Sequence, residues 1–364
     1  MYADEWAFYP LIIAGGHRSG HTLLSHLSKR SDVDCMALIE KKGRGVPSEA
    51  YYPRLTDFEA LGIREFRIED GKWRFDCGYP VWAVDHVRQA LRGFLDSFQP
   101  AVIYCHTPES LAMIRQAHER GVGGLWYLRD TRPRPEDIRA AVEMGTQTVC
   151  CSKFLQRWYT EHCGIEPKVI YPFIDQADYR VASNSRAYIT FINPHPLKGL
   201  ETFLQIAPLF PDQPFLVVES WPLGADYEQI TGQLAQFPNV RFINRVSDVR
   251  DIYGQTRLLI VPSICEDAAP RVVIEAHANG IPVIASNRGG IAEMMGEGGI
   301  MIEDYLSAAA WAEAIRRLCD NPAEMARFSR AALDNARRED LSADFITGEF
   351  LAVCERASRK ARAV

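Results

Sequence analysis

Residues 258–290 read LLIVPSICEDAAPRVVIEAHANGIPVIASNRGG. Residues 258–262 are a short apolar run of buried-strand length. Residues 263–269 are polar, carry Glu266 and Asp267, and lead to Pro270. Proline is tolerated at the first helical position, where its missing N–H would have no intrahelical partner. A helix is expected from there to about Asn279, stopped by Gly280. Residues 281–285 form a second buried strand, and Arg288-Gly289-Gly290 turn the chain back. Strand, acidic loop, helix and strand make the repeating unit of an α/β fold with a parallel sheet.

The unit also carries chemistry. Free N–H groups and the positive end of a helix favour a phosphate at its N-terminus. Helical side chains lean toward that end, so Glu275 leans toward the same mouth. A carboxylate there accepts two hydrogen bonds from a vicinal diol such as a ribose. Asp267 lies eight positions earlier, on the loop, and sets an acid at the other side of a bound nucleotide sugar.

On these residues the segment resembles the acid–seven residues–acid signature of retaining glycosyltransferases of the GT-B fold, specifically glycosyltransferase family four (glycosyl transferases group one). RVVIEAHANGIPVIAS and the following RGGIAE fit that pattern. The family usually has Glu at the first acid and a Phe-Gly pair soon after; this chain has Asp267-Ala268-Ala269-Pro270, with Glu266 as an alternative acid. Asp is one methylene shorter, and Pro270 removes a backbone donor. The resemblance implies an α/β protein with two Rossmann-like domains whose parallel sheets face a central cleft. It further implies metal-independent transfer with retention of anomeric configuration, a UDP- or GDP-linked sugar as substrate, and no cofactor.

A chain of 364 residues is long for one core, and two domains are expected. Net charge is −6, from 41 basic and 47 acidic residues, and neither half is basic, so no nucleic-acid partner is expected. The nine cysteines are scattered without metal-ligand spacing, which suits reduced thiols in a cytoplasmic protein. The apolar run at 8–14 is neither a secretory signal nor a membrane span, and peripheral membrane contact stays open.

In the first half a strand at 9–14 is followed by Gly15 and Gly16, read as a loop where backbone approaches a ligand, and a helix at about 20–29. Residues 41–78 mix basic and aromatic side chains and read as a loop. Alternating strands and helices follow. One strand ends in His106 and the next in Arg129-Asp130, and chemistry in parallel sheets gathers at such strand ends. His106 with a pKa near neutrality relays a proton; Asp130 accepts one from an acceptor hydroxyl; Arg129 pairs with phosphate. An Arg–Asp pair that merely ties two loops together is the alternative. The acceptor is a glycan, a lipid-linked molecule or a small molecule.

The first domain is expected to end near residue 180 and to be completed by the amphipathic C-terminal helix at 343–362; the donor domain covers 181–342. Its first strand runs into NPHPLKG, a Pro/Gly loop before a helix, where Lys198 places a point charge on the diphosphate. Arg271 or Arg129 supplies a second cation. Arg245 and Val246 follow a later strand, where the resembling proteins hold the nucleobase through backbone groups.

Two other readings share the donor pocket: a GT-B sugar-nucleotide epimerase without an acceptor site, and a noncatalytic nucleotide-sugar-binding subunit. A Rossmann dehydrogenase is disfavoured because no GxGxxG follows the first strand.

Overall fold

The computed structural model describes residues 1–5, 15–41, 63–183, 185–246 and 248–362. The chain divides into two compact units, Met1–Phe173 with Ala343–Val364, and Ile174–Ser342. The division falls ahead of the expected residue 180 because Tyr179 is tied into the second unit. Its hydroxyl accepts from Arg271 Nη2 at 2.7 Å and its carbonyl from Asn279 Nδ2 at 2.9 Å.

Among the described residues, the second unit holds a six-stranded parallel sheet of β10 (Tyr188–Ile192), β11 (Phe215–Val218), β12 (Val240–Ile243), β13 (Thr256–Val261), β14 (Val283–Ser286) and β15 (Gly299–Ile302). Their order is β12-β11-β10-β13-β14-β15. The order reverses between β10 and β13, and in such sheets the crevice beyond the strand ends at that switch point is where ligands bind. β10, β11, β13 and β14 are almost wholly buried, as strands covered on both faces must be. On one side a core of Phe191, Phe203, Phe215, Ile260, Ile284 and Trp311 packs the sheet against α6 (Leu200–Ile206) and α11 (Ala308–Cys319).

Among the described residues, the first unit holds a nine-stranded sheet. β1 (Tyr2–Asp4), β2 (Ala37–Glu40) and β5 (Pro80–Val84) lie on one side of the switch; β6 (Val102–Cys105), β7 (Gly123–Leu128), β8 (Gln147–Cys150) and β9 (Lys168–Val169) on the other. These seven are parallel. A hairpin of β3 (Arg64–Glu69) and β4 (Lys72–Asp76) adds to β5 in antiparallel fashion, so 64–76 is sheet rather than the expected loop. It passed for a loop because its alternation of basic and aromatic residues lacks an apolar run.

The strand expected at 9–14 lies outside the described residues; the place between β2 and β6 is held by Tyr2–Asp4. Gly15 and Gly16 do not precede the helix as a loop: they open α1 (Gly15–Leu27). The C-terminal helix α13 (Ala343–Arg362) belongs to this unit. It lies so close to β7 that a Cβ on Gly123 would sit 2.6 Å from the Ala357 backbone, and Phe350 packs edge-on against Tyr104.

Candidate functional site

At the switch point of the second unit, two loops are stitched together. Ile264 and Cys265 donate their N–H groups to the Leu197 carbonyl at 3.1 and 3.2 Å. Gly199 has φ +89° and lies against Pro262 so tightly that a Cβ would be 1.9 Å from its carbonyl oxygen. From the other side the Gly289-Gly290 turn closes on the acidic loop: Gly290 N–H donates to the Asp267 carbonyl at 2.8 Å, and a Cβ on Gly290 would sit 2.0 Å from the Ala268 oxygen. The acidic loop is thus clamped between the NPHPLKG turn and the RGG turn.

Within the clamp Lys198 Nζ donates to Asp267 Oδ2. Burial pulls the ammonium's pKa down, and the Asp267 carboxylate beside it more than offsets this, leaving it above its ordinary value. Trp221 flanks the pair, with Lys198 Nζ 5.1 Å from its ring and His195 edge-on at 5.5 Å. Glu266 faces Arg288 at 3.8 Å instead.

Glu275 is on α9 (Arg271–His277) and nearly buried. Its Oε1 faces Arg271 Nε at 3.3 Å, one turn toward the helix N-terminus, and its Oε2 accepts from Tyr253 Oη at 2.8 Å. Arg271, spoken for by Glu275 and Tyr179, is a brace for this carboxylate rather than the expected second cation on a diphosphate. α9 has seven residues, so its dipole is smaller than the sequence pattern suggested, and the fixed positive charge at the mouth is Lys198. Pro270 sits just outside the helix as its N-cap. Arg245 and Val246 follow β12, where Arg245 N–H donates to Glu219 Oε2 at 3.4 Å.

In the first unit the candidates separate. Arg129 and Asp130 do not pair. Arg129 Nη2 donates to Tyr104 Oη at 3.1 Å, its guanidinium lies 4.0 Å from the centre of the Tyr127 ring, and Gly16 backs onto its stem, where a Cβ would be 3.1 Å from Cδ. Asp130 instead accepts from Arg132, from the backbone N–H at 2.9 Å and from Nε at 2.9 Å. His106 is buried beside Asp4, Tyr2 and His17. Burial, with His17, Arg129 and Arg132 nearby, pushes its pKa well below the ordinary imidazole value. That shift runs against the expected proton relay, which needs an imidazole pKa near neutrality.

Residues 181–334 match the family described as glycosyl transferases group 1. The matched stretch lies within the second unit, so the likeness to that family is one of the donor-side unit. Among curated relatives, it is 30% identical over 156 residues to the D-inositol 3-phosphate glycosyltransferase of Corynebacterium glutamicum, a match covering 39% of this chain and 37% of that protein. It is also 30% identical over 117 residues to the enzyme so named in Corynebacterium kroppenstedtii, covering 31% and 26%. The matches thus span 26% and 37% of the length of these relatives. Its fold matches over nearly the full length a glycosyltransferase from Rickettsia africae (TM-score 0.75, 13% identity, 98% of both chains). Anabaena HepE in complex with UDP is similar too (TM-score 0.75, 15% identity, 96% of this chain and 98% of that one).

The chain has the GT-B fold of these structures, and its second unit carries the two-acid spacing with a brace of its own for the second acid. Tyr253 and Tyr179 hold Glu275 and Arg271, and neither was legible in the sequence, since a tyrosine on a short helix or a linker carries no motif. Trp221, Tyr2, Asp4 and His17 were missed likewise. Among the described residues, no helix is long and apolar enough to cross a membrane.

Proposed function

We propose that the chain is a group 1 glycosyltransferase that moves a sugar from a UDP- or GDP-linked donor to an acceptor hydroxyl, with retention of configuration and without a metal ion at the leaving diphosphate. The observation that carries the reading is the Lys198–Asp267 pair held at the switch point of the donor sheet. The ammonium there is already half-buried and already paired with an anion. Breaking the glycosidic bond leaves charge on the diphosphate, and a cation fixed in advance stabilises that charge without reorganising. Asp267, once the phosphate shares Lys198, is free to accept from sugar hydroxyls. Glu275 takes the ribose: its two contacts to Tyr253 and Arg271 use half of a carboxylate's roughly four acceptor sites, and the rest suit a vicinal diol.

The first unit, with Arg129 and Asp130 after the end of β7 and Gly16 of α1 against the Arg129 stem, is assigned the acceptor. Arg129 suits an anionic acceptor group because its charge faces phenols rather than a carboxylate. Inositol phosphate, the acceptor in the name of the curated relatives, belongs in any acceptor panel.

Incubation of the purified protein with a panel of nucleotide sugars tests the reading. Slow release of nucleoside diphosphate without acceptor, and a rate unchanged by added magnesium or manganese, are expected. An altered sugar on an intact nucleotide would instead identify an epimerase, and binding without turnover a noncatalytic subunit. Product anomeric configuration by NMR checks retention.

A further inference from the structure

The first unit has its own switch point, between β1 and β6. Three side chains converge there from three separate elements: Asp4 ends β1, His17 is in the first turn of α1, and His106 follows β6 directly. All three are buried, and one ligand atom from each lies within 4.8 Å of the other two. Asp4 Oδ2 is 3.3 Å from His106 Nε2 and 3.8 Å from His17 Nε2. Zinc–nitrogen and zinc–oxygen bonds of about 2.1 Å at a tetrahedral angle set neighbouring ligand atoms ~3.4 Å apart. The spacing of two of the three pairs is therefore near what one ion requires, and the third lies within 4.8 Å.

The surroundings of Asp4 suit such an ion. Tyr2 Oη contacts Asp4 Oδ2 and lies 3.1 Å from His106 Nδ1 and 3.4 Å from its Nε2, while His106 Nε2 faces Asp4 Oδ2 at 3.3 Å. With Nδ1–H donating to Tyr2 Oη, Nε2 is the ring nitrogen turned toward the carboxylate. A metal-ligating histidine almost always gives its other N–H to such an outer partner.

We infer that Asp4, His17 and His106 form a divalent transition-metal site of the two-histidine, one-carboxylate type, with zinc as the ion it takes and an open fourth position. The site lies in the first unit and depends on none of the donor groups, so its failure would leave the proposed transfer reaction standing. One ion there would tie the ends of β1 and β6 to the start of α1. The fixed charge of Arg129 beside it opposes a second cation, so binding should be weaker than in sites free of arginine.

The test is elemental analysis of the full chain refolded with zinc and dialysed, together with cobalt substitution read by visible ligand-field bands. About one equivalent per chain is expected in the wild type. At least a tenfold loss of zinc affinity is expected in Asp4→Asn and in His17→Ala. Tyr2→Phe keeps the stoichiometry but weakens binding about 10–100-fold, the usual effect of losing an outer partner. His17→Gln, with circular dichroism as a fold control, serves if His17→Ala does not fold. Equal zinc in the wild type and the histidine variants, no zinc in the wild type, or a cobalt spectrum with thiolate charge-transfer bands would each overturn the inference, leaving a hydrogen-bonded Tyr–Asp–His network only.

Discussion

Lys198 and Glu275 do different work in the proposed reaction, and substitutions should separate them. Lys198 meets charge that grows as the diphosphate leaves, so Lys198→Ala should lower kcat about 100-fold, the scale seen when one preorganised donor is removed, with a smaller change in donor KM. Wild-type turnover in that variant, measured by nucleoside diphosphate release, would remove Lys198 from the site. Glu275 touches a part of the donor that does not change in the reaction. Glu275→Ala should therefore weaken nucleotide binding at least tenfold by calorimetry. Because it also strands the buried guanidinium of Arg271, it should cost about 3 kcal/mol of stability in urea melts. Unchanged nucleotide affinity in a folded Glu275→Ala protein would refute the ribose assignment.

At the scale of elements, glycines decide whether the acidic loop is held in place. Gly199 combines a left-handed φ of +89° with no room for a Cβ beside Pro262, whereas Gly232, inside α7 (Tyr227–Leu234) of the same unit, has nothing within 4 Å. Gly199→Ala should lose more than about 2 kcal/mol by urea denaturation, while Gly232→Ala should gain roughly 0.5–1 kcal/mol from its better helix propensity. Similar melting curves for the two variants would mean that the clamp is not as tight as described. The same contrast explains what the sequence revealed. α13 matches the expected 343–362 to the residue, because a twenty-residue amphipathic helix leaves a periodic pattern. The hairpin of β3 and β4 and the place of Tyr2–Asp4 at the centre of a sheet left none: a three-residue strand is shorter than any period. The spacing of Asp267 and Glu275 was legible because both sit on one local unit, as was Lys198 at its Pro/Gly turn. The Asp4–His17–His106 cluster was not, since its members are joined by strand order, which only the fold supplies.

For the molecule as a whole, buried neutral histidines set how stability responds to acid. His277, fully buried on α9, accepts or shares a hydrogen bond with Asn335 Nδ2 at 2.9 Å. Burial lowers its pKa from 6.5 to about 3, with the Gly298 backbone opposing and Arg338 adding to the shift. The unfolded chain takes up a proton at this residue as pH falls through about 6.5, whereas the folded chain does so only near 3. The unfolded state therefore binds more protons between those values, and stability is lost as pH falls, by up to about 1.4 kcal/mol per pH unit. From pH 6 to pH 4 this one residue should remove about 2 kcal/mol from the second unit. His21 in the first unit, lowered to about 4 by burial and then by Arg18, contributes in the same direction over a narrower range. Carboxylates protonate in the lower part of the window too, so the discriminating measurement is a difference. His277→Gln should begin less stable at pH 7, having lost a fitted ring against Gly298, yet fall more slowly as the buffer is acidified. Urea midpoints of wild type and variant that run parallel from pH 7 to pH 4 would show that the imidazole is protonated in the folded protein after all.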